Sequence, residues 1–331
     1  MKKILKTTIP LILCLLIFSY IFYKIPPKQA LETLTLTKVP VFILLSILYF
    51  FWVHIFDCLT IRHFITRFCS PITHKESWLV RGVTYLLMII NYHAAQGGFA
   101  VYFKKTHKAP IAKTLGTMAF ISIADLVLII TSAVIALIFT NVTYKGFDFR
   151  LFMLWLAPLV YIGYILWIIV WRNVDHPLIV KLKRFRLMRW ILEHNLFLIF
   201  REARLKDYGI LFLSRIPIVV GVVGGLNLAM YAFHAHIDWI KLFLYNPAIM
   251  LISTLPITPS GLGTGQFLTI EFFKNHTTST HFAAGLITPE SLLLTCSLMW
   301  FLANQIIKAI FGTICLFWTS TDLFKNTRSS S

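Results

Sequence analysis

The stretch LPITPSGLGTGQF, residues 255–267, places Pro256, Pro259, Gly261, Gly263 and Gly265 within a few residues of one another. Proline and glycine are the residues least compatible with a helix interior. Yet the chain on either side, KLFLYNPAIMLIST before it and FLTIEFF after it, is apolar enough to enter a bilayer. Non-helical backbone at membrane depth is tolerated only where protein buries it or water reaches it. The stretch is therefore expected to be a broken helix lining a cavity or packed interior. The alternative is a kinked helix whose glycines permit close packing. Five breakers so closely spaced leave little helix to kink.

The rest of the chain agrees with a membrane setting. Of 331 residues, 58% are hydrophobic and 13% charged, and the mean hydropathy is +0.77. A soluble domain is about 45–50% apolar and about 25% charged. Apolar blocks recur at 9–23, 39–58, 78–93, 115–140, 151–171, 208–231, 240–257 and 290–319. Each approaches the roughly 20 residues a helix needs to cross the hydrocarbon. The first block follows a basic start like a signal peptide. It meets only Ile25, Pro26, Pro27 and Lys28 where a small-residue cleavage site would lie, so an uncleaved span is expected. The fold class is an all-α polytopic integral membrane protein forming a single domain over 1–331. Cys14, Cys58, Cys69, Cys296 and Cys315 show no paired short spacing, which predicts neither a disulfide framework nor a zinc site.

Lys and Arg number 31 against 13 Asp and Glu, a net charge of +18. The basic residues fall in loops between spans, which argues for membrane topology and anionic headgroups and against nucleic acid. The loop 172–207 is the densest, with basic residues interleaved with Phe185, Met188, Trp190 and Ile191. It reads as a basic amphipathic segment on the cytoplasmic membrane surface. If all eight blocks crossed from a cytoplasmic N-terminus, most loop cations would face outward, against the positive-inside bias. Treating 78–103 and 240–275 as re-entrant hairpins reverses that excess. The expectation is then about 6 full spans plus two hairpins, or 7–8 spans without hairpins. The hairpin tips fall at NYHAAQGGF, 91–99, and PITPSGLGTGQ, 256–266, and both termini are cytoplasmic. The halves 1–140 and 151–319 then carry the same element order in opposite orientation, an inverted-topology repeat of the kind many transporters use.

At 255–266 the chain resembles a known family. LPITPSGLGTGQ is similar to the Pro-x-x-Gly-Gly-x-Gly signature of the flippase-like family, the transmembrane region of lysylphosphatidylglycerol synthases. A second echo runs through Asn91, Gly97, Gly98, Lys104, Lys105 and Asp125, matching in order the family's Asn, glycine turn, basic stretch and Asp. The chain departs from the pattern where Gln266 replaces a Glu, where Ile121-Ser122 replace a Glu-Arg pair, and where Phe99 and Val101 stand for Glu and Arg. The resemblance implies lipid translocation across the bacterial cytoplasmic (inner) membrane. The full synthases also carry a soluble aminoacyl-transfer domain; the chain ends at Ser331 without one, and lysyl transfer is not expected.

Charges within spans are functional candidates by default, because each is costly unless paired or hydrated. Asp125, Arg215 and Lys308 all lie inside apolar blocks, and Asn304 shares a helix face with Lys308 at i, i+4 spacing. One reading has Arg215 and Lys308 hold a lipid phosphate while Asp125 balances charge; the other is a structural pair such as Asp125 with Lys308. His54 and Asp57 read as interfacial anchors near the end of the second span; Glu271 reads as an interfacial acid beside Lys274, with replacement of the missing family Glu in space as the alternative. The expected substrate-binding set is Asn91, Gly97, Gly98, Asp125, Arg215, Pro256, Pro259, Gly261, Gly263, Gly265, Gln266, Asn304 and Lys308. No catalytic motif, metal site or cofactor is expected: there is no His-Glu-x-x-His, no nucleophile elbow and no phosphate-cradling loop.

The function this supports is movement of a phospholipid or polyprenyl-linked lipid between leaflets. An intramembrane lipid or glycosyl transferase, or an accessory subunit of one, is the alternative. The expected partners are anionic membrane lipids, with a glycosyltransferase or a second copy as protein partners. The topology has a direct test. In a Cys-less background, a cysteine at position 280 should react with an impermeant thiol reagent from outside, and one at 105 only after permeabilisation. Labelling of position 105 in intact cells would remove the first hairpin and the inverted repeat with it.

Overall fold

The structure is a computed structural model and describes residues 15–90, 92–139, 143–144, 147–254, 258, 261–283 and 285–328. It is built from helices in chain order. These are α1 (Leu15–Lys24), α2 (Pro27–Thr35), α3 (Val39–Phe68), α4 (His74–Ile90), α5 (Tyr92–His107) and α6 (Ile111–Ile138). The short strands β1 (Thr143–Tyr144) and β2 (Phe147–Asp148) lead into α7 (Phe149–Arg172). Next come α8 (Pro177–Leu182), α9 (Arg186–Glu193), α10 (Leu198–Glu202) and α11 (Leu205–Tyr231). The strand β3 (Ala235–Ile237), α12 (Trp239–Thr254), α13 (Thr264–Phe273), β4 (Thr277–Ser279), α14 (Thr280–Ala283) and α15 (Pro289–Arg328) complete the chain.

Apart from Phe139, just past the end of α6, every apolar block is helical over its described residues. Among the described residues, α3, α6, α7, α11 and α15 are long and apolar enough to cross a membrane, and α1 and α12 are shorter apolar helices. The chain is thus an all-α, multi-pass membrane protein. The segments proposed as hairpins are pairs of short helices: α4 packs on α5, and α12 packs on α13. At 1.5 Å per residue, α4 and α5 are about 25 Å long and α13 about 15 Å, short of the roughly 30 Å hydrocarbon.

The expected non-helical tip at 91–99 is corrected. Asn91 lies outside the described residues, but the chain is helical from Tyr92 onward, with Gly97 and Gly98 inside α5. Gly98 faces α4, where an added Cβ would run into the Leu87 side chain, while Gly97 has open space. Gly98 serves close helix packing rather than a break, and the neighbouring Ala94, Ala95 and Gln96 keep the helix intact.

The chain divides into two compact units. One comprises 53–131, 141–219 and 308–331. Its core is aromatic: Phe64, Phe99, Phe103, Phe120, Trp171 and Phe200 are all buried. Phe120 meets Phe64 edge-on at 5.6 Å and Tyr208 at 5.0 Å, favoured aromatic geometries. The basic loop is folded onto this core through Leu192, Ile199 and Phe200, leaving Phe185 and Trp190 exposed. In the same unit α4 and α15 approach at glycines: a Cβ on Gly312 would sit 2.9 Å from the Gly82 carbonyl oxygen.

The other unit comprises 1–52, 132–140 and 220–307. Phe42 packs between Phe233 and Trp300, and Tyr245 stacks on Phe272 at 5.2 Å. Asn227 closes the end of α11 by accepting from the Ile237 N–H at 2.7 Å and donating to the Ile237 carbonyl at 2.9 Å. The break between α12 and α13 lies here. Gly261 has φ +73° and Gly263 φ +86°, the left-handed region that glycine enters without a Cβ penalty. The helix restarts at Thr264, and Gln266 caps it, its Oε1 accepting from the Gly263 N–H at 2.7 Å. Thr258 and Thr264 hydroxyls meet at 2.6 Å across the turn. Pro256 and Pro259 lie outside the described residues.

Three neighbouring glycines should therefore respond differently to alanine. Gly263→Ala should cost about 1–2 kcal/mol from backbone strain alone, since its Cβ would be in ordinary contact with Ile17 and Phe18. Gly261→Ala should cost more, because the Cβ would also lie 2.9 Å from that of Ser253. Gly265→Ala, in ordinary helical backbone with Ser253 Oγ at 3.4 Å, should be neutral or slightly stabilising. Thermal unfolding of the purified variants in lipid discs gives the ranking.

Candidate functional site

Four charged side chains from four helices meet in the first of the two units described. Asp57 comes from α3, Arg81 from α4, Asp125 from α6 and Arg215 from α11. Arg215 grips Asp125 with a two-pronged contact, Nε to Oδ1 at 2.6 Å and Nη2 to Oδ2 at 2.7 Å. Its remaining Nη1 donates to Asp57 Oδ1 at 2.5 Å. Asp57 Oδ2 in turn lies 2.6 Å from Arg81 Nε. The order is Asp125–Arg215–Asp57–Arg81, with Asp57, Arg81 and Arg215 all buried. The planar guanidinium of Arg215 can serve two carboxylates at once, which a lysine ammonium could not do with the same geometry.

Local sequence places each group. Asp125 lies among Ile123, Ala124, Leu126 and Val127 of α6, so it requires a partner. Pro217, two residues beyond Arg215, removes the N–H that would bond the Leu213 carbonyl. Gly82 lets α15 come against α4 beside Arg81, since a Cβ there would run into Cys315 Sγ.

Lys308, on α15 in the same unit, is the odd charge. Among the described residues it has no ion-pair partner, and it is repelled by Arg81. Arg81, Arg215 and Lys308 against Asp57 and Asp125 leave one positive charge uncompensated. Chemically, the arrangement can accept one monoanionic group.

Next to the network, His54 is fully buried. Its Nδ1 is 3.1 Å from the Tyr85 hydroxyl, and its ring meets Trp78 at 4.3 Å and Phe311 at 4.8 Å. Cys58 and Ser77 fasten α3 to α4, Ser77 Oγ donating to the Cys58 carbonyl at 2.8 Å.

Of the residues singled out in the sequence, Asp125 and Arg215 are brought together directly. Gly261, Gly263, Gly265 and Gln266 form the α12–α13 turn. Asn304 donates to the Trp300 carbonyl of its own helix at 2.8 Å. The suggested Asp125–Lys308 pair does not form, because Arg215 takes both Asp125 oxygens. His54 and Asp57 are not interfacial anchors: α3 continues to Phe68 and both side chains are buried. Arg81 was missed altogether, although an arginine inside the apolar block 78–93 was a visible signal. Glu271 does pair with Lys274, at 3.3 Å.

A multi-pass helical protein with a charge network buried between apolar helices is the class the fold and site define. The family described as Lysylphosphatidylglycerol synthase TM region matches residues 94–312. That is more than half of the chain, and the chain belongs to this family. It is a membrane protein related to lipid modification or transport. No curated protein and no solved structure matches it. The matched region includes Asp125, Arg215 and Lys308, whereas Asp57 and Arg81 precede it.

The network makes a stability prediction. Arg215→Gln should cost about 3–5 kcal/mol by stranding two carboxylates in an apolar interior. The double variant Asp125→Leu/Arg215→Met removes one charge of each sign and should recover part of that loss. Unfolding in lipid discs that finds the double variant less stable than Arg215→Gln would contradict the network.

Proposed function

We propose that this protein moves a phosphate-bearing lipid, a phospholipid or a polyprenyl-linked lipid, between the leaflets of the bacterial cytoplasmic membrane. Both termini lie in the cytoplasm, and α4–α5 and α12–α13 are re-entrant hairpins. The observation that carries the reading is Lys308, a cation without a carboxylate partner among the described residues, beside a network that otherwise neutralises itself. A charge left unpaired among apolar helices costs several kcal/mol unless a ligand or water meets it. A lipid phosphodiester is a membrane-borne monoanion and matches the one uncompensated positive charge. Membership of the lysylphosphatidylglycerol synthase TM family supports a lipid rather than a soluble anion.

Translocation rather than chemistry is favoured because the network holds its carboxylates in ion pairs, leaving none poised as a base. Arg215 and Asp57 set the geometry, Lys308 supplies the attraction, and Arg81 raises the positive potential around it. Removing the Lys308 charge should therefore act on the lipid more than on the fold. In proteoliposomes, Lys308→Gln should slow movement of an anionic phospholipid at least about tenfold, equivalent to about 1.4 kcal/mol. Lys308→Arg should retain most of it, and a zwitterionic lipid should be less affected. A leaflet-resolved assay normalised to embedded protein measures this. Unchanged activity per molecule in Lys308→Gln would overturn the reading.

A further inference from the structure

No linear motif in this sequence announces an enzyme, yet the fold assembles a nucleophile, a base and an acid from separate places. Ser70 stands two residues past the end of α3, in the turn before Pro71, its N–H bonded to the Ile65 carbonyl at 2.9 Å. Its Oγ lies 2.9 Å from Nδ1 of His107, the last residue of α5. The other ring nitrogen, Nε2, lies 2.5 Å from Oε1 of Glu76, in the first turn of α4. Tyr102 holds the same Glu76 oxygen from its hydroxyl at 3.2 Å. All four residues belong to one compact unit and are partly open to solvent.

The hydrogen-bond logic fixes the proton. An ionised Glu76 can only accept, so Nε2 carries the hydrogen and Nδ1 keeps its lone pair. Ser70 must then donate to Nδ1, which places the base on the hydroxyl proton. This is the order of nucleophile, base and orienting carboxylate found in activated serines, with the two ring nitrogens exchanged. A plain structural clasp would not need the serine: the Glu76–His107 contact already ties α4 to α5.

Two features indicate the substrate. Ser70 sits just beyond α3, a helix able to cross the membrane, so it is placed where a span gives way to water. Lys104, Lys105 and Lys108 are exposed around His107 at the end of α5, giving the site a positive surround. We propose that Ser70 is an acyl-accepting nucleophile for the ester of an anionic lipid at the membrane boundary. His107 is its general base, and Glu76 is a positioning residue. This inference is independent of the translocation reading.

The step balances without a redox partner. Ser70 Oγ bonds to the ester carbonyl carbon as its proton passes to His107 Nδ1. The ester C–O bond then breaks, and the departing lipid alcohol takes that proton, leaving an acyl-serine. Water, activated by the same histidine, attacks the acyl-serine and releases the fatty acid.

The test uses the full chain in discs of phosphatidylglycerol with a fluorescent fluorophosphonate, which forms an Oγ–P bond as the P–F bond breaks. The adduct is mapped by peptide mass spectrometry, and release of lysophosphatidylglycerol is followed in parallel. Ser70 of the wild-type protein should be labelled, and Ser70→Ala should not. His107→Gln should label at least about 100-fold more slowly, the usual share of a general base. Glu76→Gln should slow labelling in protein that remains folded, and Glu76→Asp should restore part of the rate. Absence of a Ser70 adduct in folded wild-type protein would overturn the proposal, and so would equal labelling in His107→Gln. Neither result bears on Lys308 or on lipid movement.

Discussion

A charge cannot stay alone inside a bundle of apolar helices, and the Arg215 guanidinium is how this chain satisfies that constraint. Removing an ion from water costs several kcal/mol even after relaxation, and the cost is offset only by good geometry and full hydrogen bonding. Arg215 provides both by using three nitrogens on two carboxylates. Because Asp57, Arg81, Asp125 and Arg215 come from four different helices, the network fixes the register of α3, α4, α6 and α11 together. The approach at Gly82 and Gly312 holds the part of α15 from Lys308 onward in the same unit.

Much of the architecture was legible in the sequence, because membrane helices announce themselves by length and apolarity. The helix break within 255–267 was legible too, since proline and glycine leave the chain few conformations. What escaped depended on contacts between helices, which spacing along one helix does not encode. Asp125 was recognised as needing a cation, but the choice between Lys308 and Arg215 lay in how α6, α11 and α15 pack. Asp57 was misplaced for a simpler reason. Arg62, His63 and Arg67 lower the hydropathy beyond residue 58, so the apolar block ends early although α3 continues for another ten residues, to Phe68. The first glycine pair was overread, since two glycines in a strong helical context cost about 2 kcal/mol, less than a packed helix gains. Ser70, Glu76 and His107 escaped because their relation exists only in three dimensions.

The departures from the family pattern acquire a physical meaning in the structure. Gln266 stands where the resemblance leads one to expect Glu, and its amide oxygen still accepts the Gly263 N–H. The cap survives while a buried negative charge is removed. Phe99 and Ile121, at positions where the pattern has Glu residues, are buried in the aromatic core. Those sites carry no charge in this chain, whereas Asp57 and Arg81 contribute charge from a region before the matched segment. The sum over the network and Lys308 leaves one cation in excess among the described residues.

The central claim is that Lys308 is matched by a lipid phosphate rather than by the protein. A structure of the protein embedded in discs of its native lipids decides this directly. The account predicts headgroup density with a phosphate oxygen about 3 Å from Lys308 Nζ, hydrogen-bonding distance, while Arg215 remains bound to Asp57 and Asp125. A Lys308 side chain paired with a carboxylate, or directed into water with no lipid phosphate within reach, would contradict it.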